Sequence, residues 1–218
     1  RQMNHYLRIG GVKQDLPEEF PALVEKVFVL LDEFLEDYQT LLLDNPIFLV
    51  RTKDIGVLDP QVALAYGATG PFLRASGVPL DLRVSEPYSV YERFSFQVPT
   101  ASNGDCYDRT KVRLEEMRES ASIVRQALKQ LPDGEIRAKT PKVLKVPAGE
   151  VYTAVESARG EMGVYLVSDG GTSPYRLKWR SPSFVNLSTL PVLVKGAKLA
   201  DFIAILGSID IILGEVDR

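Results

Sequence analysis

From Asp15 onward, apolar residues recur four and three positions apart, at Phe20, Val24, Val27, Leu31, Phe34, Tyr38 and Leu41. That spacing keeps one narrow stripe on a single helix face and predicts a helix reaching about Leu43, packed along a partner. Asp15-Leu16-Pro17-Glu18 has the ingredients of its start, with an acidic N-cap, an early proline and an acid at the third position. Asn45-Pro46 ends it, because the residue before proline is pushed out of the helical region. A second stripe of the same spacing runs through Thr110, Leu114, Met117, Ala121, Val124, Leu128 and Leu131, after a cap at Asp105 or Asp108. Leu131-Pro132-Asp133-Gly134 stops it. Two matched stripes predict two long helices packed side by side, antiparallel if the intervening segment is compact, whose apolar residues form a bundle core.

The intervening segment is punctuated differently. Asp59-Pro60 predicts a short capped helix closed by Gly67, and the glycine-studded stretch from Thr69 to Gly77, with Arg74 in its middle, reads as a shaped loop. Tyr91, Phe94, Phe96 and Val98 lie within an aromatic and polar alternation over 88–98, which predicts a strand. Beyond the proline-flanked basic stretch 138–149, Val151–Val155 and Val164–Ser168 predict antiparallel strands around Arg159-Gly160-Glu161, with a third at Tyr175–Arg180. A last helix is expected over Lys198–Leu206. The fold class is therefore α+β: long-helix bundle elements over 1–137, a linker at 138–149, and a small antiparallel β region with a C-terminal helix and tail over 150–218.

Composition narrows the chemistry. With 218 residues, 45% of them hydrophobic and 25% charged, the chain can bury a core of its own. One cysteine, Cys106, excludes an intrachain disulfide, a CxxC pair or a cluster held by several thiolates of this chain. The single histidine, His5, lies five residues from the start, where chains often fray and a catalytic triad is not expected. A net charge of −3 gives no chain-wide attraction to nucleic acid. The charge is nevertheless polarised, with 6 basic and 11 acidic residues over 1–59 against 8 and 4 over 139–195. The longest apolar runs, near Val27–Leu31 and Phe202–Leu206, fall short of the ~20 residues that span a bilayer, so a membrane connection goes through partners. The opening residues carry no apolar signal region and read as the cut edge of a longer chain.

No phosphate-cradling glycine loop, HExxH, EF-hand loop or nucleophile elbow is found. Adjacent acids such as Glu115/Glu116 and Asp32/Glu33 point about 100° apart on a helix and are expected to be solvated. Arg74, Arg109, Arg118, Arg159 and Arg176 stand beside carboxylates or glycines and are expected mainly in ion pairs. Asn186-Leu187-Ser188 matches a glycosylation pattern that arises easily by chance. Asp210 sits in the apolar run Ile209-Asp210-Ile211-Ile212-Leu213, where a buried carboxylate needs a cation, a hydrogen bond or a cavity.

Several runs carry a resemblance in one order along the chain: Arg8-Ile9-Gly10-Gly11-Val12, Leu73-Arg74-Ala75-Ser76-Gly77-Val78, Gly104-Asp105 with Asp108-Arg109, and Glu116-Met117-Arg118-Glu119-Ser120. They continue as Glu156-Ser157-Ala158-Arg159-Gly160-Glu161 with Ser168-Asp169-Gly170-Gly171, then Pro182-Ser183-Phe184-Val185-Asn186-Leu187, and end in Gly214-Glu215-Val216-Asp217-Arg218. Together they resemble the 49-kDa subunit family of respiratory complex I, the proton-pumping NADH-quinone oxidoreductase. The chain looks like the C-terminal half of that subunit.

The resemblance implies a hydrophilic peripheral-arm subunit similar in fold to the large subunit of nickel-iron hydrogenases, but without the second CxxC pair near the end that would hold a metal. It implies no cofactor or catalytic residue in this chain alone. A neighbouring subunit holds the terminal [4Fe-4S] cluster, and the two subunits wall a chamber where quinone is reduced. Other implied partners are a 30-kDa-type subunit and, through partners, the membrane arm on the cytoplasmic side of a bacterial inner membrane. The family's quinone-binding histidine and tyrosine belong to the other half, and His5 carries no assigned role. Asp210, Ile212 and Arg218 match family positions near the cluster and the quinone, and Ser168 matches a nearby hairpin serine. A purely structural scaffold, or the same role beside a ferredoxin or deazaflavin donor, remains the alternative.

Overall fold

Two prolines decide where the first long helix starts. In a computed structural model, which describes residues 6–141 and 143–217, Pro17 stays outside the helix and Pro21 occupies the first turn of α1 (Phe20–Tyr38). Asp15 accepts a hydrogen bond from its own neighbour, Leu16 N, at 2.8 Å and caps nothing further. A π-helical turn over Gln39–Leu43 extends α1, and Asn45 then caps the unforeseen α2 (Pro46–Thr52) through Ile47 N.

α6 (Cys106–Lys129) lies beside α1, as the two stripes predict, and runs antiparallel to it. Asp105 is its cap, accepting from Asp108 N at 2.7 Å. Leu35 and Leu43 pack on Leu114, while Arg125, farther along α6, pairs with Asp32 at 2.9 Å and Glu25 at 3.6 Å. The inward face of α1 is not quite the predicted one. Val24, Phe28, Leu31, Leu35 and Tyr38 turn inward, whereas Val27, Phe34 and Leu41 are exposed. The inward residues keep the alternation of four and three but in the other phase: Phe28 and Leu35 take the places expected for Val27 and Phe34, which rotates the seam by part of a turn.

Between the long helices lie α3 (Pro60–Ala65), capped by Asp59, α4 (Gly70–Arg74) and α5 (Leu82–Ser85), capped by Asp81. The expected loop over 69–77 is thus corrected. Its first half is a buried helix, with Phe72, Leu73 and Arg74 in the main core alongside Leu58, Ala63, Ile205 and Ile209. The strand expected over 88–98 is absent as well. Tyr91–Arg93 forms a 3-10 turn, and the extended residues after it find no neighbouring strand. Instead Ser95 N donates to Gln126 Oε1 and Gln97 N to Glu119 Oε2. The alternating rings pack edge-on around Tyr91. Side chains of α6 therefore satisfy backbone groups that a strand would offer to a sheet.

Near the start, β1 (Leu7–Arg8) and β2 (Gly11–Val12) form a small hairpin that reaches Ile136 and Ala138 through backbone hydrogen bonds. The second sheet is antiparallel, as predicted, with order β3 (Gly149–Ser157), β4 (Gly160–Ser168), β5 (Arg176–Arg180). Ser157 opposes Gly160, so the turn is only Ala158-Arg159. Short helices α7 (Pro182–Leu187) and α8 (Leu190–Leu193) lead into α9 (Leu199–Ile209), which ends three residues later than expected, and then α10 (Leu213–Asp217). The observed class is α+β.

Two glycines fix where sheet meets helix. A Cβ on Gly70 would lie 2.5 Å from Arg159 O, and one on Gly160 would lie 2.5 Å from Thr69 Oγ1. Both backbones also take positive φ, at +73° and +129°. The start of α4 and the β3–β4 turn can approach this closely only without side chains.

Candidate functional site

Asp210 closes α9 in the left-handed conformation, with φ 59° and ψ 57°, which aspartate tolerates better than most residues. A carboxylate at a helix C-terminus adds to the negative end of the dipole, so cations must offset both. Two arginines do so. Arg159, from the β3–β4 turn, donates through Nε to Asp210 O at 2.8 Å and through Nη2 to Oδ1 at 3.2 Å. Arg113, from α6, donates through Nη2 to Ile209 O at 3.1 Å and places Nε 3.6 Å from Asp210 Oδ2. That Nε is buried and makes no hydrogen bond among the described residues. Burial pulls the Arg113 guanidinium down to about 10, against the opposing pull of Asp210.

The three residues form a polar pole where two apolar-walled grooves meet. One groove, of about 490 Å³, is walled by Tyr38, Phe48, Leu114 and Ile203, and the other, of about 460 Å³, by Phe28, Leu31, Pro71 and Val124. Arg113, Met117 and Asp210 line both. Asp210 therefore has the cations and the cavity that its apolar neighbours call for. It is not buried, since 40% of its side chain is exposed.

A second ionic cluster lies one turn farther along α6. Arg74, with 0% exposure, donates through Nε to Glu116 Oε1 at 2.6 Å and through Nη1 to Glu156 Oε1 at 2.9 Å. Arg83 clamps Asp81 through Nε and Nη2, and Asp81 lies 3.8 Å from Arg74. Three carboxylates thus share two guanidiniums. Burial pushes the Asp81 carboxyl up, but hydrogen bonds and charge from Arg83, with the charge of Arg74, outweigh it and hold the group below 3.8. At Glu116 burial outweighs Arg74 and the carboxyl is raised above 4.5. The expectation that Glu116 is solvated is thereby overturned; its side chain is 14% exposed.

The other predicted arginines divide. Arg118 pairs with Glu115, whereas fully buried Arg109 has no carboxylate within hydrogen-bonding reach among the described residues. It donates to Gly104 O, Gly56 O and Ser208 Oγ, with Cys106 Sγ at 3.5 Å, and stacks over Phe72. Carbonyl dipoles replace the ion pair. Arg176 lies on an exposed strand. Asn186 is buried and bonded to both Thr69 and Arg159, so it is no glycan acceptor in this fold.

The structure does not gather the sequence-predicted site residues into one place. Ser168, at the end of β4, donates to Val146 O and accepts from Gly170 N, away from the pole. Ile212 is half exposed, with its N–H on Ser183 Oγ, in a tail anchored by Glu215 to Ser181 and Ser183. Arg218 and His5 lie outside the described residues. Sequence reasoning missed Arg113 and Glu116. The available signal was two charges one turn apart on α6, each immediately before an apolar position of the stripe, Leu114 or Met117.

Fold and site together define an α+β polypeptide that presents an Arg–Asp–Arg pole at the junction of two apolar grooves. No group of three or more metal-ligating side chains with suitable placement occurs among the described residues, and none of their helices is long and apolar enough to cross a membrane. Comparison with known proteins supplies the family. The family model described as respiratory-chain NADH dehydrogenase, 49 kDa subunit, matches residues 1–145 and 140–218, and the chain belongs to that family. The D-type subunit of NADH-quinone oxidoreductase from Dehalococcoides mccartyi is 54% identical over 214 residues, covering 98% of this chain and 58% of the relative. The corresponding subunit of Desulforamulus reducens is 52% identical over 97% of this chain and 58% of its own length. The second D-type subunit of Herpetosiphon aurantiacus is 52% identical over 100% and 60%. The chain thus spans 58–60% of the length of these relatives.

Proposed function

We propose that the chain is part of a subunit of a proton-translocating NADH-quinone oxidoreductase and helps wall the chamber in which quinone is reduced. On this reading it binds no redox centre. Electrons reach the quinone from the terminal [4Fe-4S] cluster of a neighbouring subunit, and a 30-kDa-type subunit and the membrane arm complete its surroundings on the cytoplasmic side of the membrane. The fold relation to nickel-iron hydrogenase large subunits belongs to the same proposal. The observation that carries the reading is the pole itself. Asp210, at a position matching the family's quinone-proximal acid, is held between Arg113 and Arg159 where both grooves meet.

Such an arrangement tunes rather than transforms. A carboxylate flanked by two cations sets the local potential and orients hydrogen bonds without covalent chemistry. Asp210 with Arg159, and Arg218 in the same terminal segment, would act on the cluster and the quinone in this way. The test is Asp210→Asn in the complete subunit within the assembled complex. A reduced quinone reductase rate and a shifted cluster potential are expected, and unchanged values of both would remove the assignment.

A scaffold role has one observation in its favour. Leu23, Val27, Leu30, Phe34 and Leu41 form an exposed apolar stripe on α1 and the turn after it. Crosslinking of a quinone-site inhibitor to residues 205–218 favours the chamber; crosslinking elsewhere favours the scaffold.

A further inference from the structure

Glu116 belongs to both halves of the ionic machinery. Through Oε1 it accepts the hydrogen bond from Arg74 Nε and meets Nη2 at 2.6 Å, deep in the cluster that ties α4, α5, α6 and β3 together. Its Oε2 accepts no hydrogen bond among the described residues, and the side chain lines the 460 Å³ groove together with Arg113, Arg159 and Asp210. Arg74, Arg83 and Arg113 face Asp81, Glu116 and Glu156 in a largely buried setting. Low-polarity surroundings disfavour the charged form of a carboxyl, most of all where one of its oxygens accepts no hydrogen bond. Asp81 is fixed as a carboxylate by the two-pronged Arg83 clamp, and Glu156 accepts from both Arg74 Nη1 and Leu82 N. Glu116 is the acid with an oxygen to spare. Burial raises its carboxyl, consistent with that assignment.

We propose that Glu116 holds an exchangeable proton on Oε2 and delivers it into the groove shared with Arg113 and Asp210. The inference rests on the quinone reading for the identity of the acceptor. Reduction of a quinone to a quinol takes two electrons, here from an iron–sulfur donor in another subunit, and two protons. One of these protons leaves Glu116 as its Oε2–H bond breaks and an O–H bond forms on the reduced quinone oxygen, directly or through the groove's polar groups; the second comes from solvent. The glutamate left behind is stabilised by Arg74 and regains its proton from solvent. The groups that face Glu116 are Arg74 of α4, Asp81 and Arg83 of α5, Glu156 of β3 and Arg113 of α6, with Arg159 and Asp210 across the groove. The cations among them stabilise the carboxylate after the proton leaves, while Asp81 and Glu156 help to draw it back.

Two measurements test this. Infrared titration of the complete subunit should show a protonated-carboxyl band that persists above the pH at which an ordinary glutamate ionises. Glu116→Gln should remove that band, Glu116→Asp should keep it, and Glu156→Gln should leave it in place. Absence of the band, or its loss in Glu156→Gln with retention in Glu116→Gln, overturns the proposal. In the assembled complex, Glu116→Gln should slow quinone reduction by about 10²-fold and abolish the alkaline limb of the pH profile, with Glu116→Asp restoring both. An active Glu116→Gln complex whose pH profile is unchanged overturns proton delivery and leaves the quinone reading intact. A complex with the unsubstituted subunit that assembles but reduces no quinone overturns the quinone reading, while the infrared band still reports on the proton.

Discussion

Two ionic clusters meet α6 one turn apart and are built in opposite senses. The Arg74 cluster is buried and has more carboxylates than guanidiniums; the Asp210 pole is half exposed and has more guanidiniums than carboxylates. In the first, the members come from four packed elements, Asp81 and Arg83 both from α5, so the charges lock α4, α5 and β3 onto α6. In the second, the partners converge on a helix end and leave the carboxylate facing two grooves. The same residue types thus do different work according to burial. A desolvated cluster fixes position, because removing one member strands the others; an exposed pole leaves its charge available to something outside.

The strongest test of that contrast is Arg74→Met. The substitution keeps most of the volume but leaves Asp81, Glu116 and Glu156 without their shared cation. A loss of about 3–5 kcal/mol in urea unfolding is expected, with part of it recovered below the carboxylate range as the stranded acids protonate. Loss of less than about 1 kcal/mol would mean that the cluster is not what fastens the sheet to the helices.

Next in size is Gly160→Ala. Gly160 and Gly70 allow the β3–β4 turn to touch the start of α4, and that contact carries Arg159 toward Asp210. A Cβ there meets Thr69 and adopts a backbone conformation open mainly to glycine, at a cost of about 2–4 kcal/mol. Because the turn must shift, the pole should loosen as well. Paired measurements of stability and of the Arg159–Asp210 contact, by a double-mutant cycle with Arg159→Ala, would sharpen the comparison. Coupling that is the same with and without the Gly160→Ala substitution would separate the turn from the pole.

Local rules carried the chain a long way. Asp59 and Asp105 were readable as caps because capping is a short-range hydrogen bond written in adjacent residues. The side-by-side packing of α1 and α6 followed from two matched stripes, and the hairpin from two runs around a short turn. What was misread depended on distant partners. The segment around Phe94 looks like a strand until Glu119 and Gln126 of α6 supply its hydrogen bonds. Thr69–Gly77 looks like a loop because Gly70 serves a close contact with residues some ninety positions away. Glu116 looks solvated next to Glu115 because only the folded chain brings Arg74 to it. Asp210 was legible as a charge that needed company, but Arg113 and Arg159, which provide it, were visible only in three dimensions.

The smallest expected effect is the most diagnostic. Asp210→Asn keeps the size and the left-handed tolerance of the side chain and removes one charge from a pole that is partly open to water. The backbone bonds from Arg159 to Asp210 O and from Arg113 to Ile209 O survive the substitution. The stability cost should therefore stay below about 1 kcal/mol, with the transition sharp and the midpoint nearly unmoved. A cost as large as that of Arg74→Met would place Asp210 among the structural locks and reduce the pole to another fastening. A small cost in unfolding joined to a large loss in quinone reduction would instead show a charge kept for its outward field, in a fold that scarcely needs it for its own cohesion.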